Sequence, residues 1–248
     1  MRTDEIKKVL SKLLSLSDEF GEVEDIDEKT PPFIATLMVI ARRNYPILHS
    51  IALLQDDLLS CDAILDLSRR IFEDMISIEF MVIKDKDHMA MKFLKFYYVE
   101  RWINFEYLKK LGIAMDSSLE KEIIDDFENV KKDFTRSDRL ANSWSMTGVE
   151  GMIDELVKEK IVSTTQMADL IQGYIQGNRK NHLSSEDAQI FSSKKRWKDN
   201  FEHSLRIGLV IAIVSYIRIA SKYAQEIGNN EMVTEMDKLF NELNTSTP

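Results

Sequence analysis

The chain has 248 residues, with 33 Lys and Arg against 42 Asp and Glu, and a formal charge of −9. Its 8 Gly and 4 Pro fall below the usual shares of about 7% and 5%, too few turn formers for a hairpin-rich all-β fold. Apolar residues at 44% and charged residues at 30% exclude a disordered chain and fit a soluble globular one able to bury a sizeable core.

In chain order, residues 3–20 place Ile6, Val9, Leu10, Leu13, Leu14 and Phe20 at helical spacing. An acidic connector, Asp18 to Glu28, leads to Thr30-Pro31-Pro32, a stop followed by a fresh helix start. Residues 1–30 therefore read as an N-terminal helix plus linker, and 31–243 as a single helical-bundle domain with a frayed tail at 244–248. Phe33 to Lys84 is helical in pattern, with Pro46 expected to kink or divide it. The next helix spans about 87–111 and stops at Gly112. Ser117 and Glu120 have capping-box spacing for a helix over about 118–137. Ser163 with Gln166, and Ser184 with Asp187, repeat that signal before two further helices. A long helix covers about 197–226, is stopped by Gly228-Asn229-Asn230, and precedes a short one over about 231–243. The expected fold class is all-α, an irregular bundle of about eight to ten helices.

The most apolar run, Ile207 to Ile217 between Arg206 and Arg218, is shorter than the roughly 20 residues of a membrane-spanning helix. It reads as the central buried helix of a soluble bundle, with no membrane partner. The N-terminal 30 residues carry no secretory pattern. The single cysteine, Cys61, excludes an internal disulfide and a thiolate zinc site. Cytoplasmic location is the expectation.

Several chemistries lack their residues. Asp56-Asp57 with Asp62 suggests a magnesium-diphosphate helix, but its only counterpart, Asp125-Asp126, lacks matching spacing and a basic partner. A di-iron bundle needs Glu three positions before His, whereas His49, His88, His182 and His203 follow Pro46, Asp85, Arg179 and Asn200. Neither Gly-rich nucleotide cradle occurs, nor a Gly-x-Ser-x-Gly elbow. The expectation is no metal and no cofactor.

Three constellations remain. On the helix around Leu58–Val82, Ile64, Leu65, Ile71, Phe72, Met75 and Ile78 form the apolar face. Ser68 and Glu79 fall within it, while Arg69 and Glu73 lie on its flank at i, i+4. A core Glu79 must be paired or protonated, as a structural carboxylate meeting Arg or Tyr from a neighbouring helix or as a binding residue. Secondly, residues 179–198 hold Arg179, Lys180, Lys194, Lys195, Arg196 and Lys198 against two acids, net +4 in a chain otherwise at −13. With Trp197 this island suits phosphate contact and base stacking on RNA. His182, in the loop before a helix capped by Ser184, would sit near a positive helix end that favours its neutral ring. The alternative is a solvated loop with a structural His182. Thirdly, Phe93, Phe96, Tyr97, Tyr98, Trp102, Phe105 and Tyr107, with twelve methionines, would line an apolar ligand pocket or pack between helices.

Arg69-Arg70-Ile71-Phe72-Glu73, the Phe93–Tyr107 helix, Trp144 and Tyr174 through His182 together resemble the bacterial domain-of-unknown-function family 5677 over about residues 40–190. Arg69 and Glu73 match its Arg-x-x-x-Glu segment; Tyr174 and His182 match its Tyr-x-x-x-Ser-x-x-x-His segment, with Asn178 in the Ser position and Leu183 in place of Pro. The resemblance implies a helical domain with a polar cluster shared between helices, to which Arg69, Glu73, Tyr174 and His182 belong by their match and Glu79 is added from the helical wheel. A second resemblance, to HEPN-like helical ribonucleases, rests on Arg179 and His182, although only two residues separate them where the family has four to six. It implies RNA cleavage with His182 moving the proton and Arg179 stabilising phosphate charge.

The expected function is a scaffold or interaction protein in a stress or phage-defence setting, with a protein partner or a second copy of itself. The alternatives are the RNA-cleaving enzyme, reaching RNA through residues 179–198, and a binder of a small ligand between helices.

Overall fold

The structure is a computed structural model that describes residues 3–21, 26, 27, 29–137, 139–161, 171 and 194–245. Among these the chain forms α1 (Thr3–Leu16), α2 (Pro32–Leu54), α3 (Cys61–Ile83), α4 (Lys86–Lys110), α5 (Ser117–Val130), α6 (Gly148–Lys158), α7 (Lys194–Ile227) and α8 (Asn230–Thr245). One hairpin, β1 (Thr135–Arg136) with β2 (Arg139–Leu140), pairs antiparallel, Thr135 opposite Leu140. The fold is an all-α multi-helix bundle.

Helix α7 is its axis. Leu209, Ala212, Ile213, Tyr216, Ala220 and Ala224 are wholly buried, against α1, α2, α3 and α8. Its segment Lys198–Ile227 is long and apolar enough to cross a membrane by length and composition, yet 72% of its most apolar 18-residue window is buried inside the bundle. The apolar side chains of α1, Ile6, Val9, Leu10 and Leu13, join the same core.

Helices α3 and α7 pack most extensively, and they run parallel: Ser68 meets Gly208, and eleven residues on, Glu79 meets Arg218. Gly208 permits the close approach, since a Cβ there would stand 2.9 Å from Ile64 Cγ2 and 3.5 Å from the Leu65 backbone nitrogen. Helix α2 crosses α3 antiparallel, joined to it by residues 55–60.

Several boundaries differ from expectation. Pro46 does not divide α2, which continues to Leu54; Pro46 is exposed, so the missing donor falls on the solvent side, where water can serve the released carbonyl. The break comes instead at Asp57, whose carboxylate accepts from the Leu59 N–H at 3.0 Å. Helix α5 is capped by Asp116 rather than Ser117: Asp116 Oδ1 accepts from the Ser118 hydroxyl and, at 2.8 Å, from the Ser118 N–H, and these bonds hold its carboxyl below the ordinary range. It ends at Val130, seven residues early, where a 3₁₀ turn carries the wholly buried Phe134 into the core. The hairpin follows, turned through Ser137 at φ 49°.

Helix α4 ends as expected at Gly112. With φ 73°, Gly112 donates to the Lys109 carbonyl at 3.0 Å and Ile113 donates to the Leu108 carbonyl at 3.1 Å, a Schellman pair. The helices expected after Ser163 and Ser184 lie outside the described residues.

Candidate functional site

Three regions carry the candidate residues: the polar edge of α3, the start of α7, and the outer half of α4.

On α3, Arg69 lies along the helix between two acids, its Nε 3.5 Å from Glu73 Oε1 and its Nη2 3.8 Å from Asp66 Oδ1. Arg70 reaches the other Asp66 oxygen at 3.5 Å. Both Arg69 and Glu73 are half-buried, so the expected i, i+4 pair is present. Glu79 meets an arginine of a neighbouring helix, as expected, but at the rim of the core rather than inside it. Its side chain is 22% exposed and meets Arg218 Nη1 at 3.2 Å, at the rim of the α3–α7 seam. The residue inside the seam is Ser68, wholly buried, with Oγ 2.6 Å from the Ile64 carbonyl and 2.8 Å from the Gly208 carbonyl. Its one hydroxyl proton is shared between them.

The buried carboxylate of α3 is Asp74, which the sequence reading passed over. Arg43 Nη2 donates to Asp74 Oδ1, and Asn44 Nδ2 donates to Asp74 Oδ2 at 2.8 Å, both from α2. Burial pushes the Asp74 carboxyl above the ordinary carboxylate range, and the Arg43 charge pulls only partly against it. The signal was available: Ile71, Asp74, Met75 and Ile78 stand at i, i+3, i+4 and i+7, the spacing of a buried stripe.

A third polar cluster lies where the turn after α1 meets α2 and α7. Tyr45 donates to Asp18 Oδ1 at 2.8 Å, and that carboxylate holds the phenol above its usual pKa. The Tyr216 hydroxyl is buried beside Ser17, and neither oxygen has a hydrogen-bond partner of full geometry. Burial pushes the Tyr216 phenol well up.

Tyr174, Arg179, Lys180 and His182 lie outside the described residues. Of the basic island, Lys194, Lys195, Arg196, Trp197 and Lys198 form the first turns of α7, which begins three residues before its expected start. Lys195 and Lys198 are exposed, and Lys198 stands 3.6 Å from Glu202. Among the described residues no group of three or more His, Cys, Asp or Glu side chains could hold a metal ion.

The aromatic row of α4 divides into two. Phe93 packs edge-on to Trp144 at 5.4 Å, and Phe96 to Phe134 at 5.3 Å. Trp102 stacks flat on Phe127 of α5 at 4.6 Å with 3° between planes. These rings are helix packing. Outward from Tyr97 the helix leaves the bundle. Its inner side there meets α5 through Trp102, through Arg101 with Glu122 at 2.8 Å and Asp126 at 3.1 Å, and through Lys109 with Glu120 at 3.5 Å. Helix α5 in turn packs on α4 and the 3₁₀ turn that follows it. The two helices form an arm, on whose outer side Tyr97, Ile103, Tyr107 and Leu111 are 58%, 44%, 61% and 57% exposed.

Comparison with protein-family models, with curated proteins and with solved structures finds no match.

Proposed function

We propose that this chain is an interaction protein, a helical scaffold that engages a protein partner through the α4–α5 arm. The observation that carries this reading is the exposed apolar stripe of Tyr97, Ile103, Tyr107 and Leu111 on a two-helix element. A helix must bury its apolar stripe against another layer, and α5 covers only one side of α4. Contiguous exposed patches containing tyrosine mark association surfaces. The polar residues described on α3 support the same reading, since Glu79 and Asp74 are engaged with Arg218, Arg43 and Asn44. The Arg69–Glu73 pair, and with it the resemblance to family 5677, belongs to that structural framework.

The test pairs an association readout with a chemical one. A photo-crosslinking side chain placed at Tyr107 is expected to give protein adducts in cells, while the same group at the exposed Lys132 gives none. Purified wild type is expected to leave RNA intact. Absence of any adduct at 107, or RNA cleavage lost in both His182→Ala and Arg179→Ala at unchanged thermal stability, overturns the reading; the second outcome would establish the ribonuclease.

A further inference from the structure

Helix α4 uses one angular sector in two ways. At about 100° per residue, Met89, Ala90, Phe93 and Phe96 fall within a sector of about 120°, and these residues pack into the bundle core. Tyr97, Glu100, Ile103, Asn104, Tyr107 and Leu111 fall within nearly the same sector, again about 120° wide, and all six are exposed. The core-facing stripe thus continues past the point where the core ends. In this outer half the buried side is the opposite one, carried by Val99, Trp102 and Phe105.

Resting on the reading of the arm as an interaction surface, we infer that its occupant is a second copy of this chain. The two α4 helices lie antiparallel about a two-fold axis near Phe105, with α5 of each copy on the outer side of its own α4. The stripe carries its own complement. With the axis at Phe105, Ile103 of each copy comes level with Tyr107 of the other. Glu100 and Lys110, both exposed, stand five residues to either side of the midpoint, so each acid faces the opposite base of the other copy. Parallel pairing would oppose Glu100 to Glu100. An isologous two-fold contact requires this self-complementarity, whereas a foreign partner would impose no relation between the two halves of the stripe.

The experiment measures mass by light scattering and sedimentation equilibrium on the full chain over roughly 1–100 μM. Wild type is expected to dimerise. Tyr107→Glu raises the dissociation constant roughly thirtyfold or more, the size of a central hot-spot loss, with an unchanged helical spectrum and, at concentrations where both proteins are monomeric, an unchanged melting temperature. Glu100→Lys and Lys110→Glu each weaken the dimer roughly three- to tenfold by placing like charges together. Glu100→Lys combined with Lys110→Glu restores the wild-type constant. A wild type that stays monomeric throughout, a dimer indifferent to Tyr107→Glu, or a double reversal that does not restore it overturns the inference. A monomer whose position 107 still crosslinks another protein overturns self-pairing while leaving the interaction reading in place.

Discussion

Ser68 and Gly208 close the α3–α7 seam together: the serine hydroxyl lies 2.8 Å from the glycine carbonyl, and the missing glycine side chain lets the two backbones approach that far. A Cβ at 208 would meet Ile64 Cγ2 at 2.9 Å, a methyl on a stiff β-branched side chain in a wholly buried position. Gly208→Ala is therefore expected to destabilise the fold by about 1–3 kcal/mol through overpacking, outweighing the gain of about 1 kcal/mol that Ala brings to a helix interior. Urea denaturation gives the value. Pairing the substitution with Ile64→Ala, which vacates the contact, should give a total loss smaller than the sum of the two single losses.

Asp74 gives a pH dependence of defined sign. Its folded-state pKa lies above its ordinary value because burial outweighs the Arg43 charge. The folded state therefore holds this proton more tightly, so the contribution is full below the ordinary carboxylate pKa and is lost as pH rises through the raised one. Asp74→Asn should flatten that part of the stability profile between the ordinary and the raised pKa. Arg43→Ala leaves the ionised carboxylate without its cation, a cost of roughly 2–4 kcal/mol at pH 7. That cost should shrink as acid protonates Asp74. Denaturation curves from pH 4 to 7 on the three proteins would reveal a cost that stays constant, and such a result would contradict the assignment.

Tyr216 contributes at the alkaline end. Its phenol is buried and pushed well above its usual pKa, so ultraviolet titration of wild type against Tyr216→Phe should show that the substitution removes a tyrosine ionising above the usual phenol range. The stability tied to this proton is present below the ordinary phenol value and is lost at higher pH. Because its hydroxyl has no fully formed hydrogen bond, Tyr216→Phe should cost less than about 0.5 kcal/mol or raise stability slightly. A loss above about 2 kcal/mol would reveal a satisfied hydroxyl.

The flat stack of Trp102 on Phe127 joins the arm internally. Phe127 is 3% exposed, and Phe127→Ala should remove about 3 kcal/mol of packing. Since α5 packs chiefly on α4, the loss should concentrate in the arm. Hydrogen exchange should rise across residues 97–130 while α3 and α7 keep their protection. A uniform rise over the bundle would place α5 within the main cooperative unit.

The sequence made the helices legible because their apolar residues recur at a period near 3.6 and their stops are chemically explicit, as at Gly112 and Gly228. It was less informative where tertiary structure overrides local signals. Pro46 reads as a breaker, yet α2 passes through it on the exposed side. Val130 reads as helix interior, yet Phe134 draws the chain into a tighter turn toward the core. Glu79 and Asp74 exchanged roles for a related reason. A helical wheel shows which residues share a sector of one element, whereas the packing of α2 and α7 on α3 decides that Asp74 is enclosed and Glu79 lies at the rim. The arm was illegible because the sector of α4 that meets the core continues outward through Tyr97, Ile103, Tyr107 and Leu111, and only the position of the other helices determines which half is covered.

The parallel pairing of α3 and α7 also orders events during synthesis. Two parallel neighbours cannot be joined by a short turn, and here the whole chain between residues 83 and 194 separates them. At roughly 5–20 residues per second, the apolar flank of α3 leaves the ribosome several seconds before the helix that covers it. Because α1 and α2 also rest on α7, the N-terminal half of this protein is made in advance of its own interior and depends during that interval on whatever shields nascent apolar surface.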